Sequence, residues 1–162
     1  YDETMKRLLT PDGKVNLVIP ALLEEFDNLA DEASPVAADD AYPFVLAAGE
    51  RRSSTANTIY RDPSWRKLDK QGALRLSPAD AERLGLIDGD RARVTTKRGD
   101  GVALVEVSDT LRDGHASLPN GFGLGPDSVG VAPNELTSKD DRDWFAGTPF
   151  HKHVRARIEK VA

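Results

Sequence analysis

Two spacings of apolar residues organise this chain. Ala92, Val94 and Thr96 alternate with charged and polar positions, whereas Leu22, Leu23, Phe26 and Leu29 recur at three- and four-residue intervals. Strands repeat every two residues and helices about every 3.6. The first pattern therefore predicts a strand over 91–97, and the second a helix from Pro20 to Leu29 with one apolar face. Pro20 suits an early helical position, where its missing N–H would have no helical partner. Ahead of it, Thr10-Pro11-Asp12-Gly13-Lys14 reads as a turn and Val15–Ile19 as a short apolar strand. Ala30–Ala41, rich in Ala, Asp, Glu, Ser and Pro, reads as a linker.

From Pro43 onward the pattern shortens. Phe44–Ala48 is a continuous apolar run, as a buried strand would be, and Arg51–Ser64 is polar and glycine-free, either an exposed excursion or a ligand loop. Ala73–Leu76 alternates as a strand does. Ser77-Pro78-Ala79-Asp80 supplies an N-cap, a first-turn proline and an early acid, predicting a helix that stops before Gly85. Leu86–Asp90 is a turn. Arg98-Gly99-Asp100-Gly101 reverses the chain into Val102–Val107, a hairpin whose Arg-Gly-Asp tripeptide is accounted for by turn chemistry rather than adhesion. Leu111–Gly114 turns again into His115–Leu118, glycines crowd 120–130, and Val154–Ile158 is the last predicted strand. Short strands with one small helix between two of them point to a closed β-barrel. The expected organisation is an approach segment, helix and linker over 1–41 and a barrel domain over 42–162.

The 162 residues suffice for one well-buried core, and 39% apolar with 30% charged content fits a soluble globular domain. No apolar run is long enough to cross a membrane, so membrane insertion is not expected. Tyr1–Met5 lacks the charged-then-apolar pattern of a signal peptide and reads as a cut end. A net charge of -5 argues against general adhesion to nucleic acid, so any anion site must be local. The absence of cysteine excludes disulfides, iron–sulfur ligation and thiolate metal sites within these residues. A reducing compartment is permitted, and a cytoplasmic location is the expectation.

Candidate chemistry gathers in a few segments. In Phe44-Val45-Leu46-Ala47-Ala48-Gly49-Glu50-Arg51-Arg52 an apolar run ends at a glycine and two arginines. Gly49 would let the backbone approach a ligand, and Arg51 or Arg52 could offer a guanidinium fork to an anion. The plainer reading is a strand end followed by solvated arginines. In Ala132-Pro133-Asn134-Glu135-Leu136-Thr137 one loop would offer amide and hydroxyl donors, or Asn134 would simply form a turn. Ser53–Thr58 is a run of small hydroxyl and amide side chains, and Leu118–Gly123 is a proline- and glycine-rich connection. Asp140, Asp141 and Asp143 form an acidic cluster. His151 and His153, two apart, would share one strand face, but with only His115 as a third and no cysteine they do not amount to a zinc site.

The two apolar-to-polar segments, in this order around a β-rich middle, resemble the carboxy-terminal dinucleotide-binding domain of the molybdopterin oxidoreductases. That group includes dimethyl sulfoxide reductase, nitrate reductase and formate dehydrogenase. Leu84-Gly85-Leu86-Ile87-Asp88-Gly89-Asp90-Arg91-Ala92-Arg93-Val94 resembles the helix-to-strand crossing of that family's barrel, Thr10–Val15 its preceding segment, and Gly147–His153 its Pro-x-Phe-Lys ending. The resemblance implies a mainly β fold, a six-stranded double-psi barrel with short helices, and molybdopterin guanine dinucleotide as cofactor. It implies cofactor contacts at Gly49, at Arg51 or Arg52, and at Asn57 and Thr58 in the polar loop. Further contacts would come from Pro119 and Asn120 at a strand end, the planar amide of Asn134 and the carboxylate of Asp141 toward guanine. Lys152 would meet phosphate, with Phe150 packing or stacking beside it. The family's glycine is often followed directly by arginine, whereas here Glu50 intervenes. The Gly-Glu-Arg-Arg and His-Lys-His variants suggest the formate dehydrogenase-like branch. The metal, molybdenum or tungsten, would be held mainly by other domains of the same oxidoreductase, leaving this fragment inactive alone. The rival expectation is a cofactor-free small barrel that binds proteins or substrates through the Leu22–Leu29 face. Convergence of Arg51, Arg52, Asn134 and Lys152 on one cleft would separate the two.

Overall fold

Alternation in the sequence becomes a closed barrel. In the computed structural model, which describes residues 2–29, 40–50, 71–123 and 130–161, six strands close in the order β1-β5-β2-β4-β3-β6. They are β1 (Phe44–Glu50), β2 (Leu74–Leu76), β3 (Arg91–Thr96), β4 (Asp100–Val107), β5 (His115–Pro119) and β6 (Val154–Lys160). β1 runs parallel to β5, and β2 parallel to β4. The remaining neighbours are antiparallel. This is a six-stranded double-psi barrel, and closure leaves no sheet edge open. Inward positions fill it: Leu46, Leu74, Leu76, Val94, Leu118 and Ile158 are all buried in one cluster. Ala92, Val94 and Thr96 share the buried face of β3, as their spacing predicts.

The chain divides into two units, Tyr1–Ala37 and Ala38–Ala162. The first contains α1 (Asp2–Met5) and α2 (Pro20–Asn28), neither with a buried residue. Val15–Ile19, predicted as a strand, forms neither strand nor helix. Apolar composition alone does not make a strand, because the ladder needs a partner and none is paired to it among the described residues. Ile19 instead stands extended as the N-cap residue of α2.

In the second unit α3 (Pro78–Leu84) has the predicted boundaries. The Ser77 hydroxyl accepts from the Asp80 N–H at 3.2 Å, and Gly85 closes the helix with a left-handed φ of 64°. Three other expectations need correction. The hairpin reversal comes earlier than predicted, with Thr96 N–H bonded to the Gly99 carbonyl at 2.8 Å, so Asp100 and Gly101 already pair with Thr95 and Val94. The Pro133–Leu136 segment, read as a loop, is a helical turn, α4, with proline in its first turn. The Thr96 hydroxyl donates to the Leu136 carbonyl at 2.9 Å and ties α4 to the barrel. His151 and His153 lie in the turn before β6, not on a strand, so a two-residue spacing does not put them on a common face.

Candidate functional site

β1 is the strand around which a cleft forms. Phe44, Leu46 and Ala48 point into the core. Val45 and Ala47, between them, turn outward. Strict alternation would send Glu50 inward after Ala48. A bulge prevents this: Ala48 pairs with Leu118 and Glu50 with the very next residue, Pro119, leaving Gly49 as the extra residue. The bulge returns Glu50 to the outer face, the re-aiming of a side chain that bulges commonly accomplish.

Gly49 is required there. Its φ is +107°, and a Cβ at this position would lie 2.8 Å from Asn120 Oδ1. Asn120 sits over the bare backbone, its Nδ2 donating to the Gly49 carbonyl at 2.7 Å and its N–H to the Glu50 carbonyl at 3.0 Å. The Glu50 carboxylate accepts from the Ser117 hydroxyl. Arg75 Nη1 stands 3.9 Å from Glu50 Oε1, while Arg75 Nε donates to Glu106 at 2.8 Å. A polar row thus runs across β4, β2, β5 and β1 on the barrel's outer surface.

A cleft of about 710 Å³ opens over this row, lined by Val45, Ala47, Gly49, Glu50, Ala116, Ser117 and Asn120, with Thr110, Leu111 and His115 beside them. His151 and Lys152 complete the lining. The Ala48 N–H donates to the His151 carbonyl at 2.7 Å, pinning the turn before β6 to β1 and bringing Lys152 to the cleft. The lining therefore combines a bare backbone stretch, a side-chain amide, hydroxyls, a carboxylate and a cation. Such a surface suits a ligand that carries both an anion and a hydrogen-bonding ring edge.

Of the predicted site residues, Gly49, Asn120 and Lys152 come together on this cleft. Pro119 is buried at the end of β5 opposite Glu50 and forms the cleft's underlying strand end instead of its lining. Asn134 is exposed on α4 and is not among the lining residues. Asp141 and Phe150 face solvent, joined to each other by a Phe150 N–H to Asp141 carbonyl bond of 2.9 Å, and neither lines the cleft. Arg51, Arg52, Asn57 and Thr58 lie outside the described residues. Sequence reasoning did not single out Glu50, Ser117, Thr110 or Leu111 for the site. His115 and Ser117 had a signal, since alternate positions on one strand share a face. Glu50 was visible only as an interruption of a motif.

The molydopterin dinucleotide binding domain model matches residues 44–155. The chain belongs to that family. Its cofactor is accordingly molybdopterin guanine dinucleotide. As a molybdopterin dinucleotide-binding domain it is 28% identical over 159 residues to a probable oxidoreductase, YoaE, of Bacillus subtilis, covering 95% of this chain and 22% of that protein. It is 26% identical over 159 residues to the F420-dependent formate dehydrogenase 1 subunit alpha of Methanococcus maripaludis, covering 96% and 21%. Dimethyl sulfoxide reductase DmsA of Escherichia coli is 24% identical over 155 residues, covering 93% and 18%. The chain thus spans about a fifth of the length of the curated relatives it matches. Acetylene hydratase from Pelobacter acetylenicus shares the fold, with a TM-score of 0.67 and 24% identity over 94% of this chain and 24% of that one.

Proposed function

We propose that this domain holds molybdopterin guanine dinucleotide within a larger molybdenum or tungsten oxidoreductase and caps that enzyme's active site. The cofactor would supply the two-electron redox chemistry, and these residues binding, orientation and electrostatics. The observation that carries the reading is the cleft beside the Gly49 bulge, in a domain of the dinucleotide-binding family. Its donor set fits the group. Lys152 would meet a phosphate as a point charge, Asn120 would offer its amide, and Gly49 would let the ligand lie close to the backbone. The relatives named above, about five times longer than this chain, support a role as one domain among several. The rest of that protein would provide the metal ligand and the substrate funnel.

Formate is the substrate we propose to test first. Its support is the alignment of the formate dehydrogenase subunit over 96% of the chain. Of the four residues whose convergence separates this reading from a cofactor-free module, Lys152 lines the cleft and Asn134 does not. Arg51 and Arg52 lie outside the described residues, so the family match carries the distinction. The test is the metal and nucleotide content of the native protein that carries this domain, purified without chelator. Molybdenum or tungsten near stoichiometry, with GMP released on acid hydrolysis, is the expected result. A folded preparation containing neither would overturn the proposal. Formate-dependent reduction of an artificial electron acceptor by the loaded protein then tests the substrate.

A further inference from the structure

Unit Tyr1–Ala37 breaks a rule that the barrel keeps. Leu22, Leu23, Phe26 and Leu29 recur at helical spacing along α2 and its C-cap, so they share one side of the helix, while Glu24, Asp27 and Asn28 take the other. Yet all four apolar side chains are exposed, Phe26 by 73%. The run just ahead adds Val15, Leu17, Val18 and Ile19, exposed as well, Leu17 by 87%. Single apolar side chains in water are ordinary, but a stripe of four beside an apolar run marks an interaction surface. Helix length points the same way. α2 has nine residues, and its N-cap, Ile19, has no side-chain oxygen to hold the first amides. A helix this short is marginal in water and takes its stability from packing an apolar face.

The relatives indicate what packs there. The family model begins at residue 44, beyond this unit, whereas the alignments with YoaE and the formate dehydrogenase subunit cover 95% and 96% of the chain. Alignments of that extent cannot omit a 37-residue unit, so they run through most of it. The unit therefore lies outside the dinucleotide-binding domain but inside the stretch shared with proteins about five times longer. DmsA, named for a different reaction, aligns over 93% of the chain and again takes in most of the unit. A segment common to proteins of unlike reaction matches their shared architecture better than one dedicated partner. Tethering favours the same answer, because a cover carried on the same polypeptide faces α2 at a high effective concentration, whereas a separate protein would leave the stripe open between encounters.

We propose that the apolar side of α2 is a docking surface for the part of the same polypeptide that lies outside residues 1–162, and that the covering surface is apolar where it meets Leu22, Leu23, Phe26 and Leu29. This rests on the reading that the domain is one part of a longer protein, and not on the cofactor it holds. Phe26 is the anchor, the one aromatic ring on the stripe, of the kind that carries most of the binding energy at interfaces. Glu24 and Asp27 stay in water on the opposite side and bar the helix from docking the other way round.

The test uses the native full-length protein with the photoreactive aromatic p-benzoylphenylalanine in place of Phe26, irradiated at a dilution where the protein is monomeric. The expected product is a cross-link from residue 26 to a peptide outside residues 1–162, with no gain in mass on a denaturing gel. A species of twice the mass would mean that a second copy covers the face, and a cross-link to another protein would mean a separate partner. Either overturns the inference, as does a cross-link confined to residues 1–162. Hydrogen exchange on the unsubstituted protein gives a second readout with no variant to fold. The α2 amides are expected to exchange at least about a hundredfold more slowly than in the free peptide, at every protein concentration. Exchange at the free-peptide rate overturns the inference, and so does protection that fades on dilution. The mass of the native polypeptide keeps the two readings apart. A polypeptide no longer than residues 1–162 would remove the longer-protein reading itself, whereas a long one with an open α2 would sink the docking surface alone.

Discussion

Asp80 and Glu50 are both carboxylates held by a serine hydroxyl and an arginine, yet they face opposite ways. Asp80 is buried, and its oxygens accept from the Ser77 hydroxyl at 3.0 Å, the Gly114 N–H at 2.7 Å and Arg83 Nη2 at 2.6 Å. These bonds join the start of α3 to the turn before β5, fixing the chain's path. Glu50 stands on the cleft wall with Ser117 and a more distant Arg75. A carboxylate surrounded on all sides by the protein's own donors is a structural joint. Glu50, by contrast, lines a cleft, so the bonds that hold it also shape a surface that a ligand can meet.

Substitutions can break or sharpen that contrast. The largest expected effect is on Asp80→Ala, which strips the acceptor from a buried hydroxyl and a half-buried N–H and should cost about 3 kcal/mol by chemical denaturation. Nucleotide binding per folded molecule should not change, whereas a selective loss of binding would erase the distinction between the two carboxylates. Gly49→Ala comes next. A Cβ forced into a positive-φ site against Asn120 should cost about 1–2 kcal/mol and weaken GMP or pterin binding about tenfold, read by titration calorimetry. Ser117→Ala removes one donor from Glu50, and a loss of about 1 kcal/mol in stability by chemical denaturation is the expected result.

The smallest effect belongs to a third carboxylate, Asp90. Lys160, donating at 2.7 Å, and then the Ile87 N–H hold its pKa below the ordinary value. A depressed carboxyl stabilises the fold above its unfolded pKa, and the contribution fades as pH falls through the folded one. Asp90→Asn should therefore lower the thermal midpoint slightly at neutral pH. Well below the ordinary carboxylate range, where both states are protonated, wild type and variant should melt together. High salt should shrink the difference at neutral pH, because the pair is at the surface.

The parts of this architecture that were legible in the sequence are those decided locally. Ser77 and Gly85 mark both ends of α3 because a cap and a left-handed residue each act within one turn. Ala92, Val94 and Thr96 reveal the inner face of β3 because side-chain alternation is a property of a single strand. Strand order was not legible, since the pairings of β1 with β5 and β2 with β4 join segments far apart in sequence. The Val15–Ile19 error has the same cause, an apolar run without a partner. The site divides likewise. Gly49 stood out by residue type, and Asn120 and Lys152 through the family resemblance, whereas Ser117 reaches the cleft through pairing and Glu50 through a bulge. Asp80 looked like an ordinary first-turn acid, and its bond to Gly114, 34 positions on, had no local trace.

The strand that completes the barrel has a consequence for assembly. β6 pairs with both β1 and β3, joining the first strand of the barrel to the third, and it follows all five others along the chain. Until a ribosome has released residues through Lys160, β1 and β3 each retain an unsatisfied edge, and the turn bearing Lys152 has no closed wall to rest on. Nascent chains would thus present open strand edges on β1 and β3 until β6 is added. The cleft wall that carries Lys152 therefore cannot be completed before the last strand has been made.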